Sequence, residues 1–170
     1  MKKMSLIILL VLGMAFTALA YQNEPDNFRG MKWGSPRPSS VHPMVGGDPK
    51  SASSITICHR HTDKLSVGEA TLTAIVYVYY KNKLNGVVLY FEGITNFVSL
   101  KSTLSQAYGK PYQSNEYIED YKWLNQDGLC IVIKYSEITG KGDITYMYMP
   151  ISNKQTQDRD EASLEGKKDL

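Results

Sequence analysis

The chain has 170 residues, with 19 basic and 17 acidic side chains and a formal net charge of +2. This length is enough for one domain with its own hydrophobic core. The near balance of charge argues against nucleic acid as a partner, because phosphate binding needs a basic stripe. It argues equally against electrostatic attachment to anionic lipid.

The first twenty residues have the three parts of a cleavable secretory signal peptide. Lys2 and Lys3 precede an apolar run over residues 6–16. A cleavage motif with small residues at Ala18 and Ala20 follows the run. The run is too short for a membrane-spanning helix, which takes about 20 apolar residues, and no cysteine follows the cleavage motif. We therefore expect a periplasmic or secreted protein that is not a lipoprotein and does not insert into a membrane after cleavage of residues 1–20.

Cleavage removes two of the 19 basic residues, which makes the mature protein formally neutral. Export also bears on Cys58 and Cys130, because an even pair in an oxidising compartment is a candidate disulfide. Closing so long a loop would contribute about 4 kcal/mol in the chain-entropy model. The alternative is two separate buried thiols. Both cysteines lie on predicted strands, so a bridge requires those strands to be neighbours.

Residues 21–54 are rich in proline and glycine, which predicts an irregular segment pinned to the domain by Phe28, Met31 and Trp33. The predicted α+β domain occupies residues 55–151. Its first half alternates apolar and polar side chains over three predicted strands, at 55–62, 70–80 and 84–91.

The second predicted strand has two different faces. One is apolar (Ala70, Leu72, Ala74, Val76, Val78, Tyr80) and the other is mixed and rich in tyrosine (Thr71, Thr73, Ile75, Tyr77, Tyr79). The turn that follows is expected at 81–83. Asn85-Gly86 competes with it as a hairpin signal, but would make the strand unusually long.

A helix follows, since Phe97, Leu100, Leu104 and Tyr108 recur at helical spacing. Thr95 or Asn96 can cap its start, and Gly109 with Pro111 ends it. Three more strands are predicted at 117–124, 129–135 and 144–149. The fold is therefore expected to be α+β, a single antiparallel sheet of about six strands in the order β-β-β-α-β-β-β, with one amphipathic helix on one face. Residues 152–170 read as a polar, solvated and mobile tail, partly helical.

The stretch Phe28-Arg29-Gly30-Met31-Lys32-Trp33-Gly34 resembles the opening FRGxxWG motif of a family of small exported bacterial proteins of uncharacterised function. Three later stretches fit the same resemblance, and they lie at 63–68, 91–97 and 108–110. What the resemblance implies is a secreted α+β domain. It brings no catalytic or binding residue with it.

The stretch Cys58-His59-Arg60-His61 has the densest group of potential metal ligands in the sequence. On a strand, His59 and His61 share a face and can chelate a metal together, while Cys58 points the other way. Two ligands are too few for a structural zinc site, which needs four, and His42 lies in the irregular segment. The competing interpretation is two solvent-facing histidines at a strand end.

The sequence holds no motif of nucleophilic catalysis, no Cys-x-x-Cys pair and no phosphate-binding loop. It therefore predicts no cofactor and disfavours an enzyme, although distant residues can still assemble a site. The leading hypothesis is an exported, non-enzymatic module that binds an unknown protein or envelope ligand, with an inhibitor of an envelope or extracellular enzyme as one form of it. The alternative is a metal- or redox-responsive protein that uses Cys58, His59 and His61.

The aromatic residues suggest where such a module would bind. The chain has 12 tyrosines, and most fall within predicted strands. Aromatic side chains on the sheet face that the helix leaves uncovered would form a binding surface, and the candidates are Tyr77, Tyr79, Tyr90, Tyr117, Tyr121 and Trp123. The alternative is ordinary cross-strand packing, in which such pairs contribute about 0.2–1 kcal/mol each.

Overall fold

The computed structural model describes residues 23–46 and 54–167, so the predicted leader lies outside the described residues. Within these ranges, strands dominate and two helices interrupt or follow them. In chain order the elements are β1 (Asn27–Phe28), β2 (Met31–Lys32), β3 (His42–Gly46), β4 (Ile55–His59), β5 (Ser66–Val67), β6 (Ala70–Thr71), β7 (Ala74–Tyr80), β8 (Lys83–Glu92), α1 (Ile94–Tyr108), β9 (Tyr112–Gln113), β10 (Asp120–Trp123), β11 (Leu129–Ser136), β12 (Lys141–Tyr148) and α2 (Met149–Gly166).

Eight of these strands form one antiparallel sheet in the order β3-β4-β7-β8-β12-β11-β10-β9. Two three-stranded meanders, β4-β7-β8 and β10-β11-β12, meet where β8 pairs with β12. The expected α+β class with a main antiparallel sheet is confirmed. The expected number of about six strands is too low, because the short strands β3 and β9 extend the two edges.

Helix α1 covers one face of this sheet and buries Phe97, Leu100 and Leu104 against it. Its predicted end at Gly109 is confirmed, with that residue at φ 83°. The helix begins earlier than predicted, after Gly93 at φ 86°, and neither expected residue caps it. Asn96 instead accepts a hydrogen bond from the backbone N–H of Thr71 and so ties the helix to β6.

The N-terminal part of the chain lies on the same face as α1. It is more regular than the sequence indicates, because β1 and β2 form a small hairpin and β3 pairs with β4. Phe28 and Trp33 both pack against the ring of Tyr146, at centroid distances of 5.5 and 6.2 Å. The core therefore lies between the sheet on one side and α1 with this segment on the other.

The two faces of β7 are the reverse of the prediction. Tyr77 and Tyr79 are 0% and 1% exposed and point into the core, whereas Val76 and Val78 are half-buried on the opposite face. The predicted strand over 70–80 is in fact two strands, β6 and β7, separated by residues 72 and 73. A shift of one residue in a strand moves every later side chain to the other face, and the break produces that shift.

The turn between β7 and β8 is the one expected at 81–83. Lys81 and Asn82 take left-handed conformations at φ 47° and 60°, while the competing Asn85 and Gly86 lie within β8. Gly86 is required for packing, because a Cβ atom there would lie 2.5 Å from the carbonyl oxygen of Tyr146 on β12. This glycine therefore allows the two halves of the sheet to approach.

We expect Gly86→Ala to lower the free energy of unfolding by about 1–3 kcal/mol, since the added methyl group collides with backbone that cannot move aside. Urea unfolding followed by circular dichroism measures the effect. The matched control is Gly166→Ala, where an added Cβ meets nothing within 4 Å, and a change within about 0.5 kcal/mol is expected. Equal stability of the two variants would contradict the tight approach at β8 and β12.

Candidate functional site

The sheet face opposite α1 is mostly aliphatic and only partly covered. We call it the open face, and its apolar side chains come from β4, β7, β8, β11 and β12. Strand register places them in adjoining cross-strand rows. The members are Ile55, Ile57, Val76, Val78, Val88, Tyr90, Val132 and Met147.

Several side chains of the open face are accessible to solvent. Ile57, Tyr90 and Met147 are 37%, 43% and 38% exposed. A charged row crosses the same face, in which Asp143 lies between Tyr90 and Lys134. The open face therefore combines an apolar centre with a charged border.

Helix α2 lies across one end of the open face and corresponds to much of the predicted mobile tail. It begins directly after β12, with a proline in its first turn, and none of its residues is buried. Its contact with the sheet is polar. Ser152 donates a hydrogen bond of 2.9 Å to the amide oxygen of Asn85, and the amide nitrogen of Asn85 donates one of 2.9 Å to Gln155.

A second polar contact fixes the middle of α2. The carboxylate of Asp158 accepts hydrogen bonds from Lys81 at 2.7 Å, from the hydroxyl of Tyr80 at 2.6 Å and from Lys154. Hydrogen bonds from Lys154, Lys81 and Tyr80 lower the pKa of Asp158 well below its usual range. The carboxylate is therefore ionised at neutral pH and keeps its partners.

Helix α2 and the sheet enclose a cleft of about 260 Å³. Its floor is formed by open-face side chains of β7, β8 and β12, including Val78, Val88 and Met147, and its wall by Ser152, Gln155 and other polar residues. The wall carries amide and hydroxyl groups and no charge. Such a cleft suits an apolar group with few polar atoms.

The structure separates the six aromatic residues that the sequence places on the uncovered face. The expected placement is wrong for Tyr77, Tyr79 and Trp123, which are buried in the core. It is also wrong for Tyr121, whose ring packs against Phe97 of α1 at 6.3 Å. Burial raises the pKa of Tyr79 to about 12, so this phenol stays neutral inside the core.

The other two aromatic residues are exposed, but only one lies on the open face. Tyr90 does so, at 43% exposure, on β8. Tyr117 is 88% exposed and precedes β10 rather than forming part of it. The open face is therefore aliphatic with one tyrosine, and its members Val76, Val78 and Val88 were not expected there as a binding surface.

The three histidines of the chain lie together at one corner of the sheet. His42 on β3 is the direct cross-strand partner of His59 on β4, and the two Nε2 atoms of His59 and His61 are 2.9 Å apart. The sequence indicated that His59 and His61 share a face. It gave no local signal for His42, since its neighbour is set by the pairing of β3 with β4.

The structure does not show the candidate disulfide, and it agrees with the alternative of two separate buried thiols. Cys58 and Cys130 are both free and buried. Four strand spacings separate β4 from β11 in the sheet, which is about 19 Å, and the two side chains point to opposite faces. Cys58 also faces away from the histidines, so it cannot join them as a metal ligand.

Burial raises the pKa of both thiols, so both are protonated and unreactive at neutral pH. We expect brief exposure of the native protein to iodoacetamide, without reductant, to add less than one label per chain. After unfolding in guanidinium, two labels should be added, as measured by intact mass. An unfolded chain that accepts no label before reduction would instead indicate a bridge.

Two of the four stretches that carry the resemblance, at 28–34 and 63–68, meet in one largely buried polar network. Asp63 is 3% exposed and accepts two hydrogen bonds from Arg60, at 2.9 and 2.5 Å, and one from Tyr77, at 2.5 Å. Arg29 of the FRGxxWG motif lies 3.5 Å from the same carboxylate and donates to two backbone carbonyls nearby. The network joins the N-terminal hairpin to β7, which gives these residues a structural role.

We expect Asp63→Asn to lower the free energy of unfolding by about 3 kcal/mol, because two guanidinium groups lose the carboxylate that neutralises them. Thermal and urea unfolding at pH 7 measure the loss. Asp160→Asn is the control, since the carboxylate of Asp160 is 66% exposed and pairs with Arg159 at the surface. That change should cost no more than about 1 kcal/mol, and a similar small cost at Asp63 would contradict the network's structural role.

Comparisons with protein-family models, with curated proteins and with solved structures give no significant match to the chain. Among the helices that the structure describes, none is both long enough and apolar enough to cross a membrane. The case for function therefore rests on the open face and on the histidine corner.

Proposed function

We propose that this protein is an exported, non-enzymatic binding module that captures an apolar segment of a partner protein on the open face, with one side chain of that segment in the cleft beside α2. An inhibitor of an extracellular or envelope enzyme is one form of this function. Export is supported by the leader-like sequence of residues 1–20.

The observation that carries the proposal is the composition of the open face. Protein interfaces have an apolar centre that excludes water and a polar rim. On the open face, the exposed side chains of Ile57 and Met147 supply the apolar centre, and the row in which Tyr90 neighbours Asp143 supplies a rim. Connected apolar surface of this kind marks interaction sites on soluble domains.

The size of the cleft favours a protein segment over a free small molecule. Its volume of about 260 Å³ lies below the usual range for small-molecule pockets, about 300–1,000 Å³. A single aliphatic or aromatic side chain fills a smaller space and would be held by the floor of valine and methionine. The backbone of the same segment can then reach the amide and hydroxyl groups of Gln155 and Ser152.

Variants at the aromatic residues of the core cannot test this proposal. Tyr77→Ala and Trp123→Ala remove fully buried side chains, and each is expected to cost about 3–5 kcal/mol of stability. Loss of binding in these variants would follow from unfolding alone. Substitutions must therefore be made at exposed members of the open face.

The test begins with a photoreactive benzoylphenylalanine in place of Tyr90, on the open face, or of Leu164, which is 60% exposed on α2. Irradiation of producing cells should yield a covalent adduct from position 90 and not from position 164. The partner is then identified by mass spectrometry and purified. Met147→Lys should weaken its binding at least tenfold, because it places a charge at the apolar centre, while Leu164→Lys leaves binding unchanged.

Two results would overturn the proposal. One is a purified partner that binds wild type and Met147→Lys with equal affinity. The other is an adduct at position 90 that contains only a second copy of this chain, which would make the open face a surface for self-association.

A further inference from the structure

We propose that His42, His59 and His61 form a binding site for a divalent transition metal ion, and that Cu²⁺ is the ion held most tightly. The site lies at the corner of the sheet where β3 meets β4. It is independent of the partner-binding function proposed for the open face.

The first argument is that the tertiary structure gathers every histidine of the chain in one place. The chain has three histidines, and the ring centroids of His59 and His61 are 4.2 Å apart, while that of His42 is 5.4 Å from His61 and 6.1 Å from His59. Two imidazoles on one metal ion place their centroids about 5 Å apart, given metal–nitrogen bonds of about 2.0 Å. The three centroids match this spacing on average.

The second argument is the spacing of two nitrogen atoms. The Nε2 atoms of His59 and His61 are 2.9 Å apart and share a hydrogen bond, whose proton a metal ion would replace. With metal–nitrogen bonds of about 2.0 Å, two nitrogens at this distance subtend an angle of about 90° at the metal. Adjacent ligands in the tetragonal geometry of Cu²⁺ make this angle, whereas a tetrahedral zinc site needs nitrogens about 3.3 Å apart.

The neighbouring charges and the exposure of the site allow a cation to bind. Arg60 lies between His59 and His61 in the chain, but its guanidinium is paired with Asp63, whose negative charge offsets its repulsion of a cation. His42 and His61 are exposed, so an ion can enter from solvent. Cys58 faces the opposite side of the sheet and takes no part.

The geometry indicates which histidines are already placed to bind the ion and which must turn toward it. Among the described residues, no group of three histidine, cysteine, aspartate or glutamate side chains is arranged to hold a metal ion as it stands. His59 and His61 are therefore the preformed pair, and the exposed ring of His42 turns about its side-chain bonds to become the third ligand. Water completes the coordination. Imidazole ligands favour Cu²⁺ over Ni²⁺ and Zn²⁺ in the general order of affinity for divalent ions.

The test uses the protein purified without a histidine tag and titrated with Cu²⁺ in a glycine-buffered solution at pH 7.4. Calorimetry should give one site per chain, and the electron paramagnetic resonance spectrum should show splitting from three imidazole nitrogens. His59→Gln and His61→Gln should each weaken binding at least 100-fold, and His42→Gln about tenfold. Thr62→Ala, an exposed neighbour of His61, is the matched control and should bind as wild type does.

Glutamine replaces each ring with a polar side chain at an exposed corner, so the variants should fold, and their melting temperatures without metal check this. Equal Cu²⁺ affinity in wild type and in the variant that lacks all three histidines would overturn the site. Wild-type affinity in His42→Gln, or a spectrum with only two nitrogens, would overturn the three-histidine assignment.

Discussion

The antiparallel pairing of β8 with β12 is the contact on which the rest of the structure depends. Each of these strands is the last of a three-stranded meander, and the connection between the meanders includes α1. Without this pairing the chain would form two four-stranded sheets, and the core under α1, which takes side chains from both, would be divided. The pairing requires a close approach at Gly86 of β8 and at Gly142 of β12, where an added Cβ atom would meet Phe91 of β8. Two glycines therefore permit the sheet to be continuous.

A continuous sheet has two faces, and the chain covers them by different means. The face under α1 is closed by apolar packing and by the network around Asp63, which fixes the N-terminal hairpin. The other face receives only α2, which buries no residue and is held through Asn85 and Asp158. Hydrogen bonds to water can replace such polar contacts, so their net stabilisation is small, about 1 kcal/mol each. A partner that binds the open face therefore displaces only contacts that contribute little to the stability of the fold.

The histidine corner, formed by His42, His59 and His61, also depends on the strand order of this sheet. Strand β3 adds to the edge of β4 and places His42 opposite His59, which converts a two-residue pattern into a group of three. The open face and the corner make different demands on a ligand. The first needs an apolar segment and the second a metal ion, so each is tested with a different ligand.

Local sequence patterns determined the class of fold, the positions of most long strands, the course of α1 to Gly109 and the turn at Lys81 and Asn82, because each depends on residues close in the chain. Only the tertiary structure decided the rest. A break of two residues before β7 reversed its faces and moved Tyr77 and Tyr79 from the expected binding surface into the core. The separation of Cys58 from Cys130 depends on strand order, as does the meeting of His42 with His59 and His61. Strand order is set by hydrogen bonds between distant segments, and no short stretch of sequence records it.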